Sequence, residues 1–530
     1  MKYCTAILLT LFGALVCTHG TPDYTADGDV WWSHVAVLAD DKMEGRNTGS
    51  EGHRKAAAYV ADEFKRLGLK PAGPEGFFQP MKFNARQIVE DQSSLELVRD
   101  GRSDQLSLAD DANFLLPPDM AERVEAGAVF VGHGLVIPEL KIDDLAGLDL
   151  KGRIAVLISG GSTNIPGTLK SHYSHTKQQW GALRKAGAIG MAVIRNPKST
   201  DLPWARSTLA RLQPAMSLAE PSLDDAAGTE ISLRINPESA DKIFAYSGHA
   251  IGELLKLADD NQPLPKFPLA VSVRAKAVIK RSELTSVNVV GLLEGTDREL
   301  RKEHIVLSAH LDHLGIGQPI NGDNLYNGAM DNAAGVASIL EVARMWKAFG
   351  ATPKRSILFL AVTGEEKGLQ GSKYFANHPT VPKESLVANL NTDMFLPLQP
   401  LKIVRVFGLE ESTLGDDIRA VCAAEGIQVQ ADPEPNRNIF IRSDQYSFIR
   451  RGIPSLFYGF GSEPGSPEEK LQKDWHQNRY HGPSDDLSQP VDKAAAARFN
   501  YLLFGLSQRV ANASDRPHWK SDSFFRRFAR

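Results

Sequence analysis

In the second half of the chain, short continuous apolar runs alternate with amphipathic stretches. Residues 287–293, 305–309, 357–362, 386–390 and 453–457 have the length and apolarity of strands covered on both faces. Between them, residues 333–349 carry Val336, Ile339, Leu340 and Ala343 at helical spacing, and residues 492–509 read as a terminal helix. The segment 368–375 follows the most apolar of the runs. Such alternation predicts an α/β fold with a mainly parallel sheet and helices on both faces.

Nearer the start, Trp32, Val35, Ala36 and Leu38 begin one amphipathic helix. Ala56, Ala57, Tyr59, Val60, Phe64 and Leu67 define a second that stops at Gly68. The glycine-rich connection Met43-Glu44-Gly45-Arg46-Asn47-Thr48-Gly49 between them reads as a helix cap. From residue 126 to 262 the texture changes to shorter elements: strands over 128–131 and 154–159, a helix over 178–186 capped by Gly187, and a strand over 189–194. Connections around Pro197, Pro203 and Pro214 suit an independently packed, strand-rich insert, and Pro263, Pro265 and Pro268 mark its exit. His172 and His175 within it lack acidic or cysteine partners in a ligand pattern and read as surface or interface residues.

Composition narrows the class. Lys2, the apolar run 6–16 and the small residues Thr18 and Gly20 describe a secretory leader over residues 1–20. Val16 stands where a lipid-modified Cys17 would need a small residue, so lipoprotein anchoring is the weaker reading. The expected location is extracytoplasmic, periplasmic or secreted. Cleavage near Gly20 leaves Cys422 as the single cysteine, so packing and bound metal must supply what disulfides cannot. A net charge of −4 with no long basic run argues against nucleic acid, and no second segment is apolar enough to span a bilayer. The expected division is 21–125 and 263–510 for the main domain, 126–262 for the insert and 511–530 for a C-terminal tail. Oligomeric state is not legible.

The chemistry is carried by acids and histidines at the ends of the apolar runs. In Ser308-Ala309-His310-Leu311-Asp312-His313, His310 is a metal-ligand candidate, Asp312 a carboxylate to hold its second nitrogen, and His313 a pocket or packing residue. Asp331, just before a helix, suits an N-cap on its own, yet two close cations need a shared anionic ligand. Glu365 and Glu366 follow a fully apolar strand, where adjacent like charges are costly without a cation. Glu365 is assigned proton transfer and Glu366 metal binding. Asp393 completes the sphere of His310, and His481 the other, with Asp485 placed to orient it. Between 457 and 481, the polar connection containing Trp475 reads as a solvent loop anchored by one buried ring, or as a lid in which Trp475 forms a specificity wall.

Taken together, His310-Leu311-Asp312, Asp331-Asn332, Glu365-Glu366, Asn391-Thr392-Asp393 and Tyr480-His481 resemble the ordered motifs of the M28 metallopeptidase family, its aminopeptidase group with an inserted protease-associated (PA) domain. The resemblance implies a zinc-aminopeptidase-type sheet and two zinc ions. His310, Asp331 and Asp393 would hold one, and Asp331, Glu366 and His481 the other, with Glu365 as general base. It also places Arg442, Ser443, Asp444 and Tyr446 at substrate binding or in support of the ligands, without direct metal contact, and the guanidinium groups of Arg437 and Arg442 could meet a peptide carboxylate in the approach to the pocket. Ligand chemistry alone admits manganese or cobalt as well. The expected activity is removal of N-terminal residues from peptides. The rivals are a carboxypeptidase for acidic peptides, a glutaminyl cyclase-like enzyme and a non-catalytic receptor or binding protein.

Overall fold

The computed structural model describes residues 23–200 and 202–529; the leader read over residues 1–20 lies outside them. The main sheet runs Ala215–Leu218, Phe78–Ile88, Ile279–Leu293, Ser356–Val362, His304–His310, Leu386–Asn391, Ser455–Phe460, Ile403–Phe407, Gln428–Ala431, with Lys70–Pro71 beside Ile279–Leu293. Its centre, from Ser356–Val362 through His304–His310 and Leu386–Asn391 to Ser455–Phe460, is parallel. Antiparallel pairs flank that centre on both sides, so the sheet is mixed rather than mainly parallel.

The parallel centre is apolar because both faces are covered. His304–His310 and Ser356–Val362 are buried at every position. Helices Tyr24–Leu38, Glu51–Leu67, Ala334–Ala348 and Lys493–Asn512 pack on one face around Trp31, Phe64, Trp346 and Phe499. Helices Gln370–Asn377 and Gln445–Ile449 close the other through Phe375 and Phe448. The second helix is bounded as its sequence predicts: the Ser50 side chain accepts from His53 N, and Gly68 ends the helix in the left-handed region.

A second sheet, in the order Arg102–Leu106, Ser94–Arg99, Phe267–Lys276, Arg123–Phe130, Ile154–Ile158, Gly190–Ile194, Ile231–Ile235, Ala112–Phe114, has its own core. It draws on strands before residue 126 and after residue 262, so this unit is wider than the expected insert. Ile88 and Ile279 stand opposite each other in the main sheet, so the chain leaves and re-enters it at one point. Pro268, read as part of an exit, lies inside the strand Phe267–Lys276. Ala215–Leu218 returns from this unit to form the edge of the main sheet. Residues 513–529 are a packed segment, not a loose tail: Phe525 is fully buried, and Trp519 Nε1 donates to Gly452 O at 2.9 Å. Among the described residues no helix is long and apolar enough to cross a membrane.

Candidate metal centre

The parallel strands end at one crevice, where open α/β sheets place their ligands. His310 is the last residue of its strand, Glu365 and Glu366 follow Ser356–Val362, and Asp393 follows Leu386–Asn391. The loop before helix Ala334–Ala348 brings Asp331, and the turn after helix Pro467–Asn478 brings His481. Close backbone packing makes the Asp331 loop fit. A Cβ on Gly335 would fall 2.6 Å from Thr392 O, and one on Gly328, at φ +63°, would fall 2.5 Å from the His313 ring.

Asp331 is central. Its Oδ1 lies 3.2 Å from His310 Nε2 and its Oδ2 lies 3.2 Å from His481 Nε2. Asp393 Oδ1 is 3.2 Å from His310 Nε2, and Glu366 Oε2 is 3.3 Å from His481 Nε2. The donor atoms of His310, Asp331 and Asp393 lie within 4.8 Å of one another, as do those of His313, Asp331 and Glu366. The sequence-predicted ligands therefore meet, with Asp331 shared. The residue that sequence reasoning undervalued is His313, whose Nδ1 is 2.9 Å from Glu366 Oε1. Its position three residues after His310, one side of Asp312, was the available signal.

Charge explains what this cluster lacks. Burial alone would lower the proton affinity of His310, but Asp393 and Glu365 raise it well above the usual imidazole range. His481, also penalised by burial, is pushed up to about 10, chiefly by Glu366. Burial and then the Asp393 and Glu366 charges, outweighing His310, hold the Glu365 carboxyl well above its ordinary value. Four carboxylates thus converge on a site that demands positive charge, and divalent cations would meet that demand while leaving the imidazoles neutral ligands. The donor set of carboxylate oxygens and imidazole nitrogens fits zinc.

The supporting contacts differ from expectation in several places. His310 Nδ1 lies 3.0 Å from the backbone carbonyl of Asp312, so the Asp312 carboxylate is not what holds the ring. That carboxylate instead accepts from Thr48 Oγ1 at 2.9 Å and from Glu365 N at 3.1 Å. Asp485 does not orient His481; it accepts from Met330 N at 2.9 Å and Asp331 N at 3.0 Å, pinning the bridging residue's loop. The connection at 43–49 is more than a cap, because Arg46 lies fully buried beneath the ligand loops and donates to the carbonyls of Leu311, Asn327 and Gly328. Its guanidinium needs acceptors once buried, and turning loop carbonyls supply them.

Beside the centre, a cavity of about 130 Å³ is lined by Phe395, Phe407, Ile439, Phe457 and Phe460, with Arg437, Arg442 and Ser443 at its margin. Ser443 Oγ donates to Asp393 Oδ2 at 2.6 Å. Asp444 does not line this cavity: it is fully buried, and burial raises its carboxyl to about 7. Tyr446 is not among the residues of this cavity but borders the larger one that Glu365, Glu366 and His481 also line, and its hydroxyl is 2.9 Å from His172 Nδ1, which makes His172 an interface residue. Trp475 is not the wall. The polar connection folds as the helix Pro467–Asn478, Gln472 and His476 face the cavity, and the Trp475 indole is buried behind with Nε1 on Gln489 Oε1 at 2.7 Å. Polar residues on the outer helical face hide such an element from a search for apolar runs.

Residues 288–506 match the family model of Peptidase family M28. It is 25% identical over 288 residues to probable leucine aminopeptidase 2 of Aspergillus oryzae (strain ATCC 42149 / RIB 40), covering 51% of this chain and 55% of that one. It is 30% identical over 151 residues to carboxypeptidase Q of Rattus norvegicus, covering 24% and 30%. The matches thus span about half or less of these curated relatives. The solved aminopeptidase from Aneurinibacillus sp. strain AM-1 superposes with a TM-score of 0.55 at 19% identity, covering 92% of this chain and 95% of that one, which shows a shared fold.

Proposed function

We propose that the chain is an exported di-zinc aminopeptidase that hydrolyses N-terminal residues from peptides. The observation that carries this reading is Asp331, which turns one carboxylate oxygen to His310 and the other to His481. A bridging carboxylate offsets the repulsion of two close cations. His310, Asp331 and Asp393 would hold one ion; Asp331, Glu366 and His481 the other, with His313 on the free side of Glu366. Zinc bound there supplies Lewis acidity toward water and toward the scissile carbonyl. Glu365 is the proton carrier. It takes the proton released as water attacks and returns it to the departing amine, and the proton affinity that burial and neighbouring acids give it suits the role.

The free α-amine of a peptide is drawn to this acidic cluster, and an apolar first side chain fits the aromatic-lined cavity beside it. The unit around the second sheet, read as a PA domain, shapes the approach and restricts long substrates. Export is supported by the leader-like residues 1–20 alone. The name of the rat relative, together with Arg437 and Arg442 beside the cavity, favours a carboxypeptidase as second reading. Peptides blocked at one end separate the two. Cleavage of a C-terminally amidated peptide, with none of its N-acetylated counterpart, supports the aminopeptidase, and the reverse pattern refutes it. Loss of turnover on chelation and recovery with zinc completes the test.

A further inference from the structure

A second cavity, about 810 Å³, lies between the two sheets. Glu365, Glu366 and His481 form part of its wall, and Arg195, Arg234 and Ser232 of the second sheet form another part. Arg234 pairs in register with Val193 on the neighbouring strand, and Arg195 lies two residues beyond Val193, so both stems rise from the same face. Arg195 is exposed and Arg234 half-buried, so both are open to the cavity rather than packed into a core.

Several other cations of this wall are paired. Arg211 pairs with Glu90 at 2.7 Å, Lys373 and Arg450 share Asp225 at 2.9 and 3.0 Å, and Arg86 donates to Leu116 O and Ser217 Oγ. Arg195 and Arg234 have no carboxylate among the described residues that acts on them. Enclosure in the cavity between the two sheets, and then Arg195, lowers Arg234 to about 9; the same enclosure and then Arg442 lower Arg195. Like charges held together without a counterion focus a positive field into the space they line. Guanidinium groups match carboxylates in planar geometry. The volume is that of a small-ligand site and far below what a folded protein needs.

We infer that Arg195 and Arg234 form a carboxylate-binding subsite that selects short peptides bearing a carboxylate away from the scissile bond. This rests on the peptidase reading of the centre that faces them. The carboxylate can be the C-terminus of a short peptide or an acidic side chain.

The test compares kcat/KM for Leu-Ala-Ala, its C-terminal amide and Leu-Ala-Asp-Ala-amide, using zinc-loaded wild type and the R195Q/R234Q double variant. Wild type is expected to favour the free acid over the amide by about tenfold or more, mainly through KM. In the double variant that ratio collapses toward one, and R195K/R234K restores part of it. Preference for the aspartyl amide over the plain amide assigns side-chain carboxylates to the subsite as well; its absence assigns the C-terminus alone. Calorimetric binding of N-acetyl-Ala-Ala-Ala against its amide gives a second readout that needs no turnover. Equal handling of acid and amide by wild type, or an unchanged ratio in a folded double variant, overturns the inference. Should the double variant not fold, the wild-type comparison decides alone. Cleavage of N-acetyl-Leu-Ala-Ala, or no cleavage at all, would instead strike the aminopeptidase reading and leave the binding comparison to judge the subsite.

Discussion

Replacing Arg46 with Met tests how the fold holds the centre. The guanidinium is fully buried, with Nε on Leu311 O at 2.9 Å, Nη1 on Leu38 O at 2.5 Å and on Asn327 O at 2.7 Å, and Nη2 on Gly328 O at 2.9 Å. Burial lowers its pKa to about 10, with Asp485, Asp331, Asp312 and Glu366 pulling the other way, so it remains a cation under the acid cluster. Met fills similar space without donors. Three carbonyls, those of Leu38, Leu311 and Asn327, are stranded in the interior at about 1–3 kcal/mol each, while Gly328 O still accepts from Ala333 N at 3.2 Å. Relief of guanidinium burial offsets part of that, leaving a net loss of about 4 kcal/mol. For a cooperative unit on the order of 300 residues, that is a fall in Tm of about 6 °C. Calorimetry with free zinc held constant measures it, since bound ligand itself shifts Tm. Arg46→Lys keeps the charge but cannot reach carbonyls on separate loops, and should fall between. A Met variant melting within about 1 °C of wild type would refute the reasoning.

Asp225→Asn removes the acid shared by Arg450 and Lys373, and the loss at neutral pH is expected to be about 3 kcal/mol by denaturant titration. Burial alone would raise the Asp225 carboxyl, yet Arg450 and Lys373 hold it well below its ordinary value. Its contribution is therefore present above the unfolded carboxylate pKa of about 3.9 and disappears as pH falls through the folded value. The stability gap between wild type and variant should narrow below about pH 4, and a gap that widens there contradicts the assignment. Trp475→Ala should cost about 3–5 kcal/mol while leaving the preference among N-terminal residues unchanged, because the ring is core. Glu365→Gln should lower kcat by about 10²–10⁴ with zinc content unchanged, measured by single-turnover kinetics beside elemental analysis.

The parallel centre of the sheet and its acids were legible because buried strands read as continuous apolar runs, and each run ends at a chemically distinctive residue. His310, Glu366 and Asp393 meet for that reason, and loops at helix ends bring Asp331 and His481 to them. Phe78–Ile88 is hard to read from sequence because its Pro80, Lys82 and Asn84 positions alternate with buried ones, the signature of an antiparallel strand with one open face. The limits of the second unit were misread because its entry and exit are adjacent strands of one sheet, Ile88 opposite Ile279, which leave no linker-like composition. The supports of Asp331 and His310 were the least legible. Whether a carboxylate or a backbone carbonyl meets an imidazole depends on loop geometry, and Asp312 and Asp485 each satisfy backbone N–H groups instead.

The central claim is a pair of cations sharing Asp331. Anomalous scattering from crystals of the zinc-loaded protein, collected on both sides of the zinc edge, tests it most directly. The account predicts two peaks about 3.5–4 Å apart, one on each carboxylate oxygen of Asp331. A single peak at full zinc loading, or two peaks remote from Asp331, would contradict it.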